Sequence, residues 1–405
     1  MALDLGSRAE ELRARVGAFV EREVVPIESD LMRALDDEVA AGVPYPRMLE
    51  ELRARAREDG LWNLFLGDRE HGAGLGHSEY APLCELMGRS PVAPMAFNCA
   101  APDTGNMEIL LEQGSSEQRE RWLTPLLEGT IRSCFSMTEP GAAGSDPTGL
   151  STRARLDGEE WVIDGHKWFT TGALGAAVVI VMAVTDPDAA PHRRASMILV
   201  PIETAGIELV RPLAVMGHAA GPGHWEIRYE GCRVPASNLL GERGAGFQVA
   251  QDRLGPGRMH HCMRAVGGAE RALELMCRRA NSREAFGGPL ADKQFVQDFV
   301  ARSRIELEAA RLMVRHAAHK MDAEGKRAAR NEISMAKVMA ANVHQDVLDR
   351  AIQVHGALGV SDDSPLALMW REGRWLRLVD GADEVHKMAI ARRELRRFAA
   401  QAEPR

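Results

Sequence analysis

The chain has 405 residues, 45% of them apolar and 27% charged, with a net charge of −8; that balance excludes disorder, and the length calls for two or three domains rather than one core. The negative charge and an aromatic content of 5% leave no basis for nucleic acid as a partner. Six cysteines (Cys84, Cys99, Cys134, Cys232, Cys262 and Cys277) are scattered without a CxxC pair, which fits single buried thiols in a reducing compartment better than a disulfide frame or a zinc site.

Residues 1–130 are predicted to form an N-terminal helical domain. "RAEELRARVGAFVEREVVP" and "PRMLEELRARAREDGLW" place apolar residues three and four apart with charges between. "SSEQRERWLTPLLEG" opens with Ser115 three residues before Gln118, a capping-box spacing, and Gly129 is a helix stop. Residues 131–242 change period and predict a middle β-domain, a barrel or sandwich. "STRARLDGEEWVIDGHKWFTTG" reads as two strands joined at "DGEE", and "ASMILVPIE", "IELVRPL" and "HWEIRYEGCRVP" read as further strands. Neither GxGxxG nor strand–helix alternation is present, which excludes a doubly wound dinucleotide fold.

Residues 243–405 return to helical spacing in long runs, over 258–281, 291–324 and 327–357, and predict a four-helix bundle. The fold class is therefore mainly α with a central β-domain. "HHC" (260–262) invites a metal reading, but adjacent side chains on a helix diverge. "ARRELRRF" (391–398) reads as a solvated helix face. No signal peptide, lipidation motif or apolar run of bilayer length is visible, so a cytoplasmic protein without a membrane partner is expected.

"CFSMTEPGAAGSDPTGL" (134–150) is too polar and too permissive in backbone to be core. Its expected role is to bring main-chain N–H groups close to something polar. With the domain order in hand, "MTEPGAAGSD" resembles the T-E-P-G-x-G-S-D signature of the acyl-CoA dehydrogenases with one residue inserted. "REAFGGPLADKQ" is similar to that family's R-x-x-F-G segment, "IQVHGALGV" to its Q-x-x-G-G-x-G turn and "LVDGADEVH" to its catalytic tail motif. "RASMILVP", "RLGPGRMHHCMR" and the Asp in "VDG" resemble a branch with mammalian members, some fused to kinase-like domains, proposed to act on 4-hydroxyacyl-CoAs.

The resemblance implies FAD as cofactor, an acyl-CoA substrate and α,β-dehydrogenation to the trans-2-enoyl-CoA. Phe135, Met137 and Thr138 would meet the pyrimidine edge of the flavin, where backbone N–H groups and a hydroxyl stabilise negative charge on the reduced ring. Gly141 and Gly144 would allow close approach, and Ser145 would reach a phosphate or pantetheine oxygen. On the other side of the ring, aligning through Lys167 selects Phe169 and Thr171, with Trp168 as core. A slip of one residue selects Trp168 and Thr170 and reverses the strand face. Arg283, Gln294, Gln353 and Gly356 match positions at the pyrophosphate and adenine end of the cofactor, contributed across subunits, so a homodimer or homotetramer is implied.

Where the family usually carries Glu, this chain carries Asp380, one methylene shorter; it would take the α-proton while the β-hydrogen leaves as hydride to flavin N5. The Asp380 backbone N–H and a cofactor hydroxyl would hold the enolate-like oxygen. Gly381 and Arg258 would line the substrate channel. Asp383 and Glu384 are expected at a helix N-terminus, which favours carboxylates, and would also be within the motif that touches the cofactor. Electrons would pass to an electron-transferring flavoprotein. An acyl-CoA oxidase or a monooxygenase-like enzyme on the same fold is the alternative reading, and a catalytically silent scaffold a remote one.

Overall fold

A computed structural model describes residues 6–218 and 223–399; the outer ends of the expected first and last domains, residues 1–5 and 400–405, lie outside it. The observed order is helical, then β, then helical. The chain forms two compact units, one from Ile27–Gly74 with Met95–Gly257, the other from residues 6–26 with Leu75–Pro94 and the chain from Arg258 onward.

The first of these units is built on one eight-stranded sheet: β1 Ser133–Ser136, β2 Arg153–Asp157, β3 Glu160–Thr171, β4 Val178–Val184, β5 Ala195–Pro201, β6 Ile207–Leu213, β7 His224–Pro235 and β8 Leu239–Leu240. The strand order is β6-β7-β3-β2-β4-β5-β8, and β1 pairs in parallel with β4. β2 meets β4 at a single pair, Arg153 with Val184, so the sheet is nearly two halves, one antiparallel throughout and the other antiparallel except for β1 beside β4. They share a core in which Trp161, Ile163, Ile227 and Tyr229 from one half meet Val179, Val181, Ile198 and Val200 from the other. The hairpin at "DGEE" forms as expected, with Gly158 at φ +64.

The sequence reading left out β4 and the short β1 and β8. β4 is "VVIVMAV", buried at every position but the last. It therefore lacks the alternation that marked its neighbours.

Two local expectations hold in the flanking helices of this unit. Gln118 N–H donates to Ser115 Oγ at 3.2 Å, and Ser115 N–H donates to Gln118 Oε1 at 3.1 Å. Gly129 then closes the Thr124–Glu128 helix in the left-handed region, at φ +73.

The second unit is helical throughout, apart from a two-stranded hairpin at 284–289. Its long elements are the chain from Arg258 to the end of the Gly246–Ser282 helix, Gln294–Glu324 and Arg330–His355, followed by Leu366–Leu376 and Asp383–Ala399. Leu307, Ala310, Val314, Ala317 and Met321 form one buried stripe, and Ala336, Ala340, Val347 and Ala351 form another. Small residues let these helices approach closely. At Gly267 a Cβ would overlap the Glu85 carbonyl of the His77–Met87 helix, so the crossing requires glycine.

The expected helical run over 258–281 lies inside a longer helix, which begins at Gly246 and runs through Pro256. Tertiary packing overrides a local propensity of a few kcal/mol.

Candidate active site

In the β-sheet unit, the chain leaves β1 at Ser136 and enters the "MTEPG" loop. Lys167 of β3 lies fully buried beneath it, donating from Nζ to the Met137 carbonyl at 2.8 Å and to Glu139 Oε1 at 2.9 Å. Trp168 N–H donates to the Thr138 carbonyl at 3.0 Å. The other carboxylate oxygen of Glu139 accepts from Ser151 N–H at 2.7 Å and from its hydroxyl at 2.6 Å, while Oε1 also accepts from Thr152 N–H at 2.9 Å.

Burial lowers Lys167 to about 8, against the pull of Glu139. Burial would raise Glu139, but the Lys167 charge and the Ser151 and Thr152 donors outweigh it and hold the carboxyl at about 2. Two of the loop's carbonyls, those of Met137 and Thr138, are thus bound by successive residues of β3.

Beside the loop, β3 carries a bulge. Lys167 pairs with Ile227 and Thr170 with Trp225, so Trp168 and Phe169 together oppose one residue of β7. Phe169 sits at φ +52 and is 45% exposed. Trp168 is half-buried rather than core, packed edge-on against Phe169 at 5.0 Å, with an indole N–H that is buried and has no hydrogen-bond partner among the described residues. Thr170 turns inward to Ser136 Oγ at 3.1 Å, whereas Thr171 Oγ1 lies 2.8 Å from His224 Nδ1. Burial lowers His224 to about 4, so the imidazole is neutral at pH 7.

Phe135 stacks with the Arg253 guanidinium at 4.1 Å from the ring centroid. Gly144 lies against Thr138, while Gly141 has open space around it and Ser145 is exposed. An exposed aromatic ring, a loop of Gly and hydroxyl-bearing residues beside it and a hydroxyl on the neighbouring strand fit a planar, electron-poor heterocycle such as a flavin.

In the helical unit, Asp380 lies in the turn between the Leu366–Leu376 and Asp383–Ala399 helices. Its φ is +53, a left-handed conformation that Asp enters more readily than most residues, and Gly381 follows at φ +105. Arg258 Nε donates to the Asp380 carbonyl at 2.7 Å and Lys337 Nζ to the Gly381 carbonyl at 2.8 Å, which fixes the turn.

Asp383 is buried. It lies 3.0 Å from Arg377 Nε and 3.8 Å from Lys337 Nζ, and accepts from Asn342 Nδ2 at 2.9 Å. That carboxylate is spent anchoring the turn, while Glu384 is exposed. The Asp380 carboxylate is 21% exposed and lies 3.4 Å from His261 Nε2. His261 also lines a small cavity together with Cys262, Ala265, Lys337, Ala341 and Leu376. Burial lowers Lys337, against the attraction of Asp383, and lowers His386 to about 4, with the Arg258 and Lys337 charges acting the same way.

The remaining expected cofactor residues of this unit, Arg283, Gln294, Gln353 and Gly356, are all exposed, and Phe286 in the hairpin beside Arg283 is 97% exposed. Sequence reasoning missed the bracing pair Lys167–Glu139, and also His261, Lys337 and Arg377. His261 had a usable signal: it lies three residues after Arg258 and so on the same helix face.

The three patterns described as "Acyl-CoA dehydrogenase, N-terminal domain", "middle domain" and "C-terminal domain" match residues 7–130, 134–232 and 244–395. "Probable acyl-CoA dehydrogenase FadE2" of Mycobacterium tuberculosis is 50% identical over 98% of both chains. "Acyl-CoA dehydrogenase family member 11" of Rattus norvegicus is 45% identical over 98% of this chain, which spans 52% of that relative's length. A solved chain from Mycobacterium abscessus, described as an acyl-CoA dehydrogenase, superposes with a TM-score of 0.93 at 48% identity, covering 97% of this chain and 99% of that one.

Proposed function

The chain belongs to the acyl-CoA dehydrogenase family, and we propose that it removes the α and β hydrogens of an acyl-CoA thioester to give the trans-2-enoyl-CoA, with FAD as electron acceptor and Asp380 as base. The observation that carries this reading is the Asp380 turn: a partly exposed carboxylate in a left-handed conformation, fixed through backbone carbonyls by the half-buried Arg258 and the buried Lys337. Such a group is rigid, partly desolvated and aimed, which is what abstraction of an α-proton requires.

FAD, when bound, supplies the two-electron acceptor for the β-hydrogen. Met137 and Thr138 would hold its pyrimidine edge through N–H and hydroxyl donors, Phe169 would cover one ring face, and Thr171 would offer its hydroxyl. Phe135 and Gly144 would shape the same pocket, and Arg283, Gln294, Gln353 and Gly356 would serve the nucleotide end across a subunit boundary in a dimer or tetramer. Asp380 takes the α-proton onto its carboxylate, so the base ends neutral and the thioester loses one proton and one hydride. Arg258 and Lys337 keep the base turn in place during that transfer. Ser145 and Gly381 would border the thioester and its pantetheine arm.

The substrate proposed is an acyl-CoA with a 4-hydroxy or 4-phospho group, and the electron acceptor an electron-transferring flavoprotein. The cationic surroundings of the turn, Arg258 and Lys337 with His261 beside them, suit a polar acyl chain better than a plain one. The test is kcat/KM for butyryl-CoA against 4-hydroxybutyryl-CoA with an electron-transferring flavoprotein as acceptor. A preference for the hydroxylated substrate is expected, and equal values would sink the substrate assignment. Fast oxygen consumption without the flavoprotein would instead identify an oxidase.

A further inference from the structure

We propose that His261 is a positioning residue for the base, holding one oxygen of the Asp380 carboxylate through its Nε2–H so that the other oxygen faces the substrate carbon. The inference rests on reading Asp380 as the base. A guanidinium has only donors, and Arg264 Nη2 lies 3.1 Å from His261 Nδ1. Nδ1 must therefore accept, which puts the proton of a neutral imidazole on Nε2. That atom lies 3.4 Å from Asp380 Oδ2, a long hydrogen bond of the kind that tightens when substrate fills a site.

The ring cannot easily turn away. Trp375 packs against it edge-on at 6.0 Å with an interplanar angle of 89°, and the side chain is 14% exposed. A carboxylate one methylene shorter than Glu needs its rotamer set from the side, since its backbone is already fixed by Arg258.

The charged and titratable groups facing Asp380 come from three helices. Arg258, His261 and Cys262 lie on the Gly246–Ser282 helix, Lys337 on Arg330–His355, and Asp383 and His386 on the helix that follows the turn. Burial lowers His261, opposed by its hydrogen bond to Asp380 and reinforced by the Arg264 charge, so the imidazole stays neutral while Asp380 is ionised. A neutral donor steadies the anion without placing a second mobile charge beside it. Removing the donor disfavours the ionised carboxylate, so the acid limb of the pH profile must move up.

Three variants of the full holoprotein test this: His261→Phe, which keeps a ring against Trp375, His261→Gln, whose amide nitrogen can replace Nε2, and Asp380→Asn. The first readout needs no turnover. In a ¹⁵N imidazole spectrum, the signal lost in His261→Gln is expected to be that of a neutral ring protonated on Nε2 from pH 6 to 9; an Nδ1-protonated ring would overturn the proposal. The second readout is kinetic, with 4-hydroxybutyryl-CoA. His261→Phe is expected to lower kcat on the order of 100-fold with little change in KM and to raise the acid limb of kcat/KM by about one pH unit, and His261→Gln is expected to restore most of both. An acid limb that does not move in His261→Phe overturns the positioning role while leaving the base in place. If Asp380→Asn turns over normally, the base assignment itself fails, whatever the tautomer of His261.

Discussion

Replacing Lys167 by Met removes half of a fully buried ion pair, in which the two side chains are 0% and 1% exposed at 2.9 Å. In the wild type, burial holds Lys167 near 8 instead of 10.5. Glu139 sits near 2 instead of 4.5, burial being overcome there by the Lys167 charge and the Ser151 and Thr152 donors. Each departure corresponds to about 3 kcal/mol, and the two oppose one another at neutral pH: the charge on Lys167 is penalised and that on Glu139 favoured. The intact pair therefore comes close to break-even, as expected where desolvation offsets attraction.

Removing Lys167 alone is different. It strands the Glu139 carboxylate and takes the donor from the Met137 carbonyl, so a loss of about 3–5 kcal/mol is expected. Adding Glu139→Gln removes the stranded charge and leaves an amide oxygen for Ser151 and Thr152. That double variant is expected to recover about 2 kcal/mol of the loss. The assay is urea unfolding of both single variants and the double, followed by tryptophan fluorescence and analysed as a double-mutant cycle. A single Lys167→Met variant within about 1 kcal/mol of wild type, or a double variant as unstable as the single, would refute this reasoning.

Other outcomes follow from the same geometry. Glu139 is depressed in the folded protein, so it stabilises fully above its unfolded value of 4.5 and that contribution is lost as pH falls toward 2. About 2 kcal/mol of acid sensitivity between pH 6 and pH 3 should disappear in Glu139→Gln, measured by urea midpoints at those two pH values. Phe169→Ala removes a side chain 45% exposed, so it should change stability by less than about 1 kcal/mol while lowering the ratio of bound flavin to protein; Trp168→Phe should keep the flavin. The reverse result would transfer the ring-facing role to Trp168. Gly381→Ala places a Cβ 3.0 Å from His386 Nε2 at a φ of +105, and should lower stability by about 1–3 kcal/mol and disturb the base turn, seen as a lower thermal midpoint together with slower turnover.

The element types were largely written in the local pattern. β5, β6 and β7 coincide with runs whose polar and apolar residues or prolines mark them out, and the capping box at Ser115 formed as its spacing dictates. β4 was invisible because burial on both faces erases alternation. The expected run over 258–281 stopped short of the helix start at Gly246, and Pro256, which lowers local helix propensity, lies in the part it left out. The candidate site could be named from the sequence where a motif picks out its residues, as with Asp380 and the "MTEPG" loop, whose roles are those proposed above. It was illegible where the role depends on distance along the chain: Lys167 lies 28 residues from Glu139, and Lys337 lies 44 from Gly381. The choice between Phe169 and Trp168 turned on strand face, and a bulge, which sequence pattern does not announce, puts both residues outside the regular ladder.

The most direct measurement is the anaerobic visible spectrum of the wild-type protein and of Asp380→Asn during addition of butyryl-CoA and 4-hydroxybutyryl-CoA. Wild type is expected to carry a flavin band that bleaches with at least one of them as the 2-enoyl-CoA appears. Asp380→Asn is expected to keep the band and bleach more slowly by a factor on the order of 10²–10⁴. A variant that bleaches at the wild-type rate, or a wild-type protein that stays colourless after FAD is added, would contradict the account.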